Sequence, residues 1–380
     1  MSKETVVTNA RIITKNEIID GTLSTRDGEI QDICSSVSKL SNAIDFEGDF
    51  CVPGLVELHT DNLEKHFKPR PGVSWPAEAA VMAHDAQMAT AGITTVLDAI
   101  RVGDTWPDSH SRLNAVNMAK AIRGMKSKNM LRSDHFFHIR CEISNSDVLD
   151  EFEYFLSEKD VRLVSLMDHT PGQRQFVDEA KYREYYQGKY SLTDDAMETM
   201  IERQKADQLK YSDKHRATIV EKCQAAGLSL ASHDDAKKDH IETAASEGVK
   251  ISEFPTTIEA ALAARGKGLK ILMGAPNLVL GGSHSGNISA MVLAKKGLLD
   301  VLSSDYVPAS LMHGAFLLNH NGNISLPDAV ASVSAVPAQL AGLEDRGEIK
   351  IGRRADFSRV KVEDAIPMMS SVWREGNRII

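Results

Sequence analysis

Eight short strand-like runs alternating with helical stretches fill the middle of this chain, and that alternation restricts the fold more than any other feature. The runs fall at residues 56–59, 94–99, 136–142, 162–167, 228–233, 250–254, 269–273 and 301–304. Most are rich in Val, Ile, Leu or Phe and end at a polar residue or a turn signal. Helical spacing covers residues 77–91, 113–125, 147–157, 214–226, 237–247 and 258–264. Strands separated by helical crossovers pair in parallel, and eight of them close into a (β/α)8 barrel. The chain is therefore expected in the α/β class, as a TIM-like barrel with its chemistry at the strand C-termini.

The ends read differently. Residues 5–14, 18–26 and 30–33 look like strands joined by Asn, Asp and Gly turns, and so do 356–360 and 372–379. A small β-sandwich domain built from residues 1–52 and 350–380 is expected, bracketing a barrel of residues 53–349. Residues 174–211 are too long and too polar for a plain connecting loop. With Lys181, Tyr182, Arg183, Tyr185, Tyr186 and Lys189 they read as a helical insertion over the barrel mouth, a lid or a contact between copies.

The first run delivers His59 and Asp61, two residues apart and so on one face of an extended strand. Later runs lead into Glu142, His169, His233 and Asp305. Any one of these, taken alone, is more often a cap, a turn residue or a solvated side chain. Together they place three imidazoles and three carboxylates on one rim, a donor set for divalent metal. The set suits Zn²⁺, Mn²⁺, Fe²⁺ or Ni²⁺, and the lack of a candidate thiolate disfavours a soft-metal site. Three carboxylates offset much of the charge of two ions, and a bridging one would hold them about 3.5–4 Å apart. Two ions per chain are expected, zinc first.

Composition narrows the partners. A net charge of −9 argues against non-specific nucleic-acid binding, so an anionic ligand needs a local basic cluster. No apolar run approaches the roughly 20 residues needed to cross a bilayer. Residues 1–5 lead into no signal-peptide core. Cys34, Cys51, Cys141 and Cys223 are scattered without C-x-x-C spacing, which reads as reduced thiols and a cytoplasmic location.

His59-Thr60-Asp61 behind Val52-Pro53-Gly54-Leu55-Val56 resembles the strand-one motif of the amidohydrolase superfamily. The longer run Glu57-Leu58-His59-Thr60-Asp61-Asn62-Leu63-Glu64-Lys65-His66 is similar to the PhnM family of the carbon–phosphorus lyase pathway. So are Pro69-Arg70-Pro71-Gly72-Val73, Ala231-Ser232-His233-Asp234-Asp235-Ala236, Gly274-Ala275-Pro276-Asn277 and Gly282-Ser283-His284-Ser285-Gly286-Asn287. The superfamily resemblance covers essentially the whole chain. The family implies hydrolysis of α-D-ribose 1-methylphosphonate 5-triphosphate to the 5-phosphate and diphosphate. Two departures stand out. Asp61 occupies a position where the superfamily commonly has a second His, and Glu142, His169 and His233 follow strands three, four and five, one earlier than usual there. No lysine stands at the bridging position, so the resemblance gives the bridge to Glu142.

On that reading Asp305 accepts the proton of the attacking water. A departing diphosphate calls for positive groups nearby. Lys65, His66 and Arg70 follow the first motif, Arg140 shares a strand face with Glu142, Arg101 follows strand two and Arg174 follows His169. A solvated surface charge is the competing reading for each, weakest for Arg140. Residues 283–287 open a helical pattern over 288–295, so His284, Ser285 and Asn287 are expected to bind a phosphate or phosphonate oxygen at a helix N-terminus. His84, His110, His215, His240, His313 and His320 read as surface or packing residues.

Two other functions compete. A related amidohydrolase cutting a C–N bond, a deacetylase or cyclic amidase, would need fewer basic groups at the mouth. A barrel that lost catalysis and became a scaffold would have lost metal ligands first, and here all six stand. A homo-oligomer, dimer or higher, is expected because superfamily members often associate.

Overall fold

The computed structural model describes residues 4–70, 72–103, 111–176, 179–190, 192–283 and 286–380. Strands β1 (Glu4–Ile13), β2 (Ile18–Arg26), β3 (Glu29–Cys34), β4 (Ile44–Asp45) and β5 (Phe50–Pro53) open the chain. The barrel strands follow: β6 (Leu55–Thr60), β7 (Ile93–Val102), β8 (Asp134–Glu142), β9 (Val161–Met167), β10 (Ser229–His233), β11 (Ile251–Glu253), β12 (Lys270–Gly274) and β13 (Val301–Ser303). Strands β14 (Phe357–Glu363), β15 (Ile366–Arg374) and β16 (Asn377–Arg378) close it.

The two chain ends make one continuous sheet in the order β16-β15-β14-β5-β1-β2-β3, with β4 alongside β1. Antiparallel pairing of β14 with β5, Phe357 opposite Pro53, is what unites them. This sheet has a core of its own, including Val7, Ile12, Leu23, Ile30, Phe46, Phe357 and Trp373. The Trp373 ring stacks on Phe357 with centroids 4.8 Å apart.

Strands β6 to β13 neighbour one another in chain order and run parallel. Both faces of each strand are covered, which is why they read as apolar runs. Val56, Leu58, Leu97, Phe136, Leu163, Ala231, Ile251, Leu272 and Val301 face inward and fill the barrel, and Ala338, Ala341 and Leu343 pack against them. The Val56 amide bonds the Val333 carbonyl, so this segment plugs the end where the strands begin. The other end stays open. Closure between β13 and β6 is a parallel bridge of Thr60 with Asp305. The buried Glu57 carboxyl spans the same seam, accepting the His59 amide at 2.7 Å and the Ser304 amide at 2.6 Å.

Between β9 and β10 lie a 3-10 turn (Arg174–Phe176), a helix over Glu179–Tyr190 and a helix over Asp194–Ala226. The expected insertion and the expected helix at 214–226 are thus not separate pieces. The second helix runs unbroken for 33 residues, about 50 Å at the usual rise. The Thr193 hydroxyl caps its start, and Gly227 ends it at φ 67°. Tyr182, Met197, Met200 and Ile201 form a small core where the two helices meet.

Sheet and barrel are joined by charge as well as chain. Asp134, at the start of β8, accepts from Arg346 at 2.7 Å, Arg354 at 2.5 Å and Arg374 at 3.2 Å.

Candidate metal centre

The candidate side chains sit where strands release the chain. His59 and His233 lie at the ends of β6 and β10, Glu142 ends β8, and His169 and Asp305 come two residues beyond β9 and β13. Asp234, Phe254 and Asp305, each just past a strand, have φ of 55°, 53° and 52°. Asp adopts this left-handed conformation readily, whereas for Phe it costs roughly 1–2 kcal/mol. The strained turn places the Phe254 ring edge-on to His59 and His233, with centroids 4.9 and 5.4 Å away.

Among the described residues donor atoms gather in four groups: His59–His138–Glu253 and His84–Asp98–His135 are buried, and two more stand at the strand exits. His59, Asp61 and Asp305 form one and His169, His233 and Asp234 the other, with one atom per residue within 4.8 Å of its companions. All three imidazoles meet a carboxylate through Nδ1. His59 Nδ1 lies 3.2 Å from Glu253 Oε1, His233 Nδ1 3.2 Å from Glu253 Oε2, and His169 Nδ1 2.5 Å from Glu142 Oε2. An Nδ1–H held this way makes Nε2 the atom that offers a lone pair once the ring is neutral, the arrangement that prepares an imidazole for metal. Asp234 Oδ2 is buried with no hydrogen-bond partner, 3.4 Å from His233 Nε2 and 3.7 Å from His169 Nε2. A buried carboxylate oxygen in that state is costly unless a cation meets it. These nitrogen and oxygen donors fit zinc or a neighbouring divalent ion.

Among the described residues, five of the six expected ligands enter these groups and Glu142 does not. Its Oε1 accepts the His169 amide at 2.9 Å and the Ser144 hydroxyl at 3.2 Å, while Oε2 holds His169 Nδ1. Burial raises its pKa, but the His169 charge and these bonds bring it down to about 2. In this structure Glu142 thus contacts His169 and enters none of the donor groups. Asp61 bonds the Arg140 guanidinium. Against the upward push of burial, Arg140, His59 and Arg101 hold its carboxyl well below the usual carboxylate range.

A cavity of about 440 Å³ opens over both strand-exit groups, and Arg101, Arg140, Tyr186, Ser283 and Asn287 share its lining with them. Lys65, His66, Arg70 and Arg174 do not line it. Lys65 reaches the Tyr306 carbonyl beside the mouth. His66 bonds Gln87 at 2.9 Å on an exposed face, and Arg70 pairs with Val73 in an exposed turn. Arg174 is buried beneath His233, donating to its carbonyl at 3.0 Å and to Asp235 at 2.5 Å. In this structure its guanidinium is paired with Asp235 below the cavity lining. The helix expected from residue 288 begins only at Ala290 (Ala290–Lys295), which leaves Ser283 and Asn287 in a loop and not at a helix N-terminus. His284 and Ser285 lie outside the described residues.

The model of the amidohydrolase family matches residues 50–379. The chain belongs to the amidohydrolase family. Alpha-D-ribose 1-methylphosphonate 5-triphosphate diphosphatase of Escherichia coli (strain K12) is 46% identical to it over 376 residues, 98% of this chain and 100% of that protein. Two solved structures show the same fold at low identity. 5-Methylcytosine deaminase from Klebsiella pneumoniae aligns over 99% of this chain and 98% of its own, with TM-score 0.66 and 14% identity. N-Acetyl-D-glucosamine-6-phosphate deacetylase from Mycobacterium smegmatis aligns over 100% of both chains, with TM-score 0.65 and 13% identity.

Sequence reasoning passed over several residues of this amidohydrolase's site. Asp234 stands in an Asp-Asp pair, and nothing in the string says which carboxylate turns toward the histidines. Asp235 is taken by Arg174, Ser232 and Ser252. Glu253 ends the sixth barrel strand as the other candidates end theirs, and that position was its signal. His84, expected at the surface or in packing, does pack: it is fully buried in a separate cluster with Asp98 and His135. There, Asp98 lies 2.7 Å from a nitrogen of each ring. Asn62 meets the other nitrogen of His84 at 3.0 Å and Asp85 that of His135 at 3.3 Å. With every ring nitrogen already bonded, this is an ion network that packs the helix Ala77–Thr90 onto β7 and β8.

Proposed function

We propose that this amidohydrolase hydrolyses α-D-ribose 1-methylphosphonate 5-triphosphate to the 5-phosphate and diphosphate, with two divalent cations, zinc first among them. The likeness to the diphosphatase along its whole length carries this reading. The two strand-exit donor groups and the arginine-lined cavity support it on chemical grounds. His59, Asp61 and Asp305 would hold one ion, and His169, His233 and Asp234 the other. When bound, the ions supply Lewis acidity toward the phosphate oxygens and acidify water beside them.

The chain's own residues do the rest. Arg140 and Arg101, projecting into the cavity, neutralise the polyphosphate against the chain's overall negative charge. Asn287 and Ser283 offer neutral donors on the facing loop. Asp305 takes the proton of the attacking water and carries it away from the phosphorus. Attack at the phosphorus next to the ribose releases diphosphate, whose new charge the two arginines meet without reorganising. Phe254, Met273 and Ile288, also in the lining, limit the water that competes for these charges.

The protein acts in the cytoplasm as a homo-oligomer; its four free cysteines suit a reducing compartment. Among the described residues no helix is long and apolar enough to cross a membrane. Protein reconstituted with Zn²⁺ or Mn²⁺ is expected to release diphosphate from the ribose phosphonate triphosphate. Ring opening of a hydantoin without diphosphate release from any triphosphate would overturn the assignment in favour of C–N chemistry.

A further inference from the structure

Glu253 ends β11 fully buried, and its two oxygens serve different histidines. Oε1 meets His59 Nδ1 and Oε2 meets His233 Nδ1, both at 3.2 Å. His59 belongs to the group with Asp61 and Asp305, His233 to the group with His169 and Asp234. The two rings lie 16° from parallel with centroids 5.5 Å apart. The carboxylate is itself pinned: the Ser165 hydroxyl donates to Oε2 at 2.5 Å, and His138 Nε2 lies 2.5 Å from that hydroxyl.

We propose that Glu253 is a positioning residue shared by the two cation sites, fixing the tautomer of both histidines and coupling the affinity of one site to the occupancy of the other. A carboxylate is a rigid plane. A shift of His59 as the first group closes on an ion turns that plane and moves its second oxygen against His233. Burial leaves no water to absorb the motion, and packing at interior density transmits it. Glu253 does not line the cavity, so it acts through the imidazoles. This inference rests on the paired-cation reading of the site and is independent of which substrate is cleaved.

Zn²⁺ titration of the chelated protein by calorimetry, without substrate, tests it. Glu253→Gln keeps the shape but has one acceptor oxygen, so one imidazole keeps its partner while the other faces an amide N–H. Two ions are still expected to bind, with both steps weakened by about 10- to 100-fold. In the wild type, His59→Ala should also weaken the remaining site, and that loss should vanish in the Glu253→Gln background. Unchanged affinity at both steps, weakening at one step alone, or disappearance of one ion would each overturn the proposal. If Glu253→Gln does not fold, Ser165→Ala removes a bond from the same carboxylate; both steps should then weaken, and wild-type affinities would overturn the coupling. A wild-type protein binding fewer than two ions would sink the paired-cation reading along with it. Failure to release diphosphate would sink only the substrate assignment.

Discussion

Thr60 and Asp305, 245 residues apart, close the barrel: the Thr60 hydroxyl donates to the Asp305 carbonyl at 3.0 Å. The Asp61 amide bonds the same carbonyl at 2.8 Å, and the Asp305 amide returns a bond to the His59 carbonyl at 3.2 Å. The seam that completes the fold is therefore also the frame that brings His59, Asp61 and Asp305 together.

Because this frame is built from the Asp305 backbone, its carboxylate can be changed without opening the seam. Asp305→Asn keeps an oxygen that can hold the ion but loses the proton acceptor, so at saturating metal two ions should still bind while turnover falls by roughly 10²-fold or more. Metal analysis beside steady-state kinetics checks it; near-normal turnover would remove Asp305 from the role of proton acceptor.

Glu142 holds His169 by Nδ1 and by its amide. Glu142→Gln should weaken metal binding at one step, by about 10- to 100-fold, and leave the stoichiometry intact. A bridging ligand would instead lower both occupancies, so titration followed by elemental analysis separates the two roles.

Arg101 lines the cavity on the side of Asp61 and Arg140. A charged hydrogen bond to phosphate contributes about 1.5–3 kcal/mol, so Arg101→Gln should raise KM for the triphosphate about 10- to 100-fold at unchanged metal content. An unaltered KM would place the polyphosphate elsewhere in the cavity.

Asp134 carries the sheet-to-barrel junction. Burial raises its pKa, but Arg354, Arg374 and Arg346 bring it from 3.8 to about 2. A depressed carboxyl pKa stabilises the fold above the unfolded value and loses that contribution as pH falls through the folded one. Asp134→Asn should therefore cost about 2 kcal/mol at pH 7, and the gap to wild type should shrink between pH 4 and pH 2. Urea unfolding across that range reads the difference; a gap independent of pH would mean that packing, not charge, holds the junction.

Local pattern was enough for the architecture. All eight barrel strands, β1 to β3, β14 and most helices follow from apolar periodicity and turn residues, which act over a few neighbouring positions, whereas β4, β5 and most of β15 do not. That His59, Asp61, His169, His233 and Asp305 gather at one end of the barrel was legible for the same reason, since each sits at a strand exit. The contacts of Glu142, Asp234, Arg174 and Glu253 were not. A carboxylate's part is set by whichever atoms face it, and Glu253 faces an imidazole 194 residues away. Likewise, whether Arg174 meets a phosphate or Asp235 depends on where the barrel brings β10. Charges find their partners through space, and chain order holds no record of that distance until the barrel has closed.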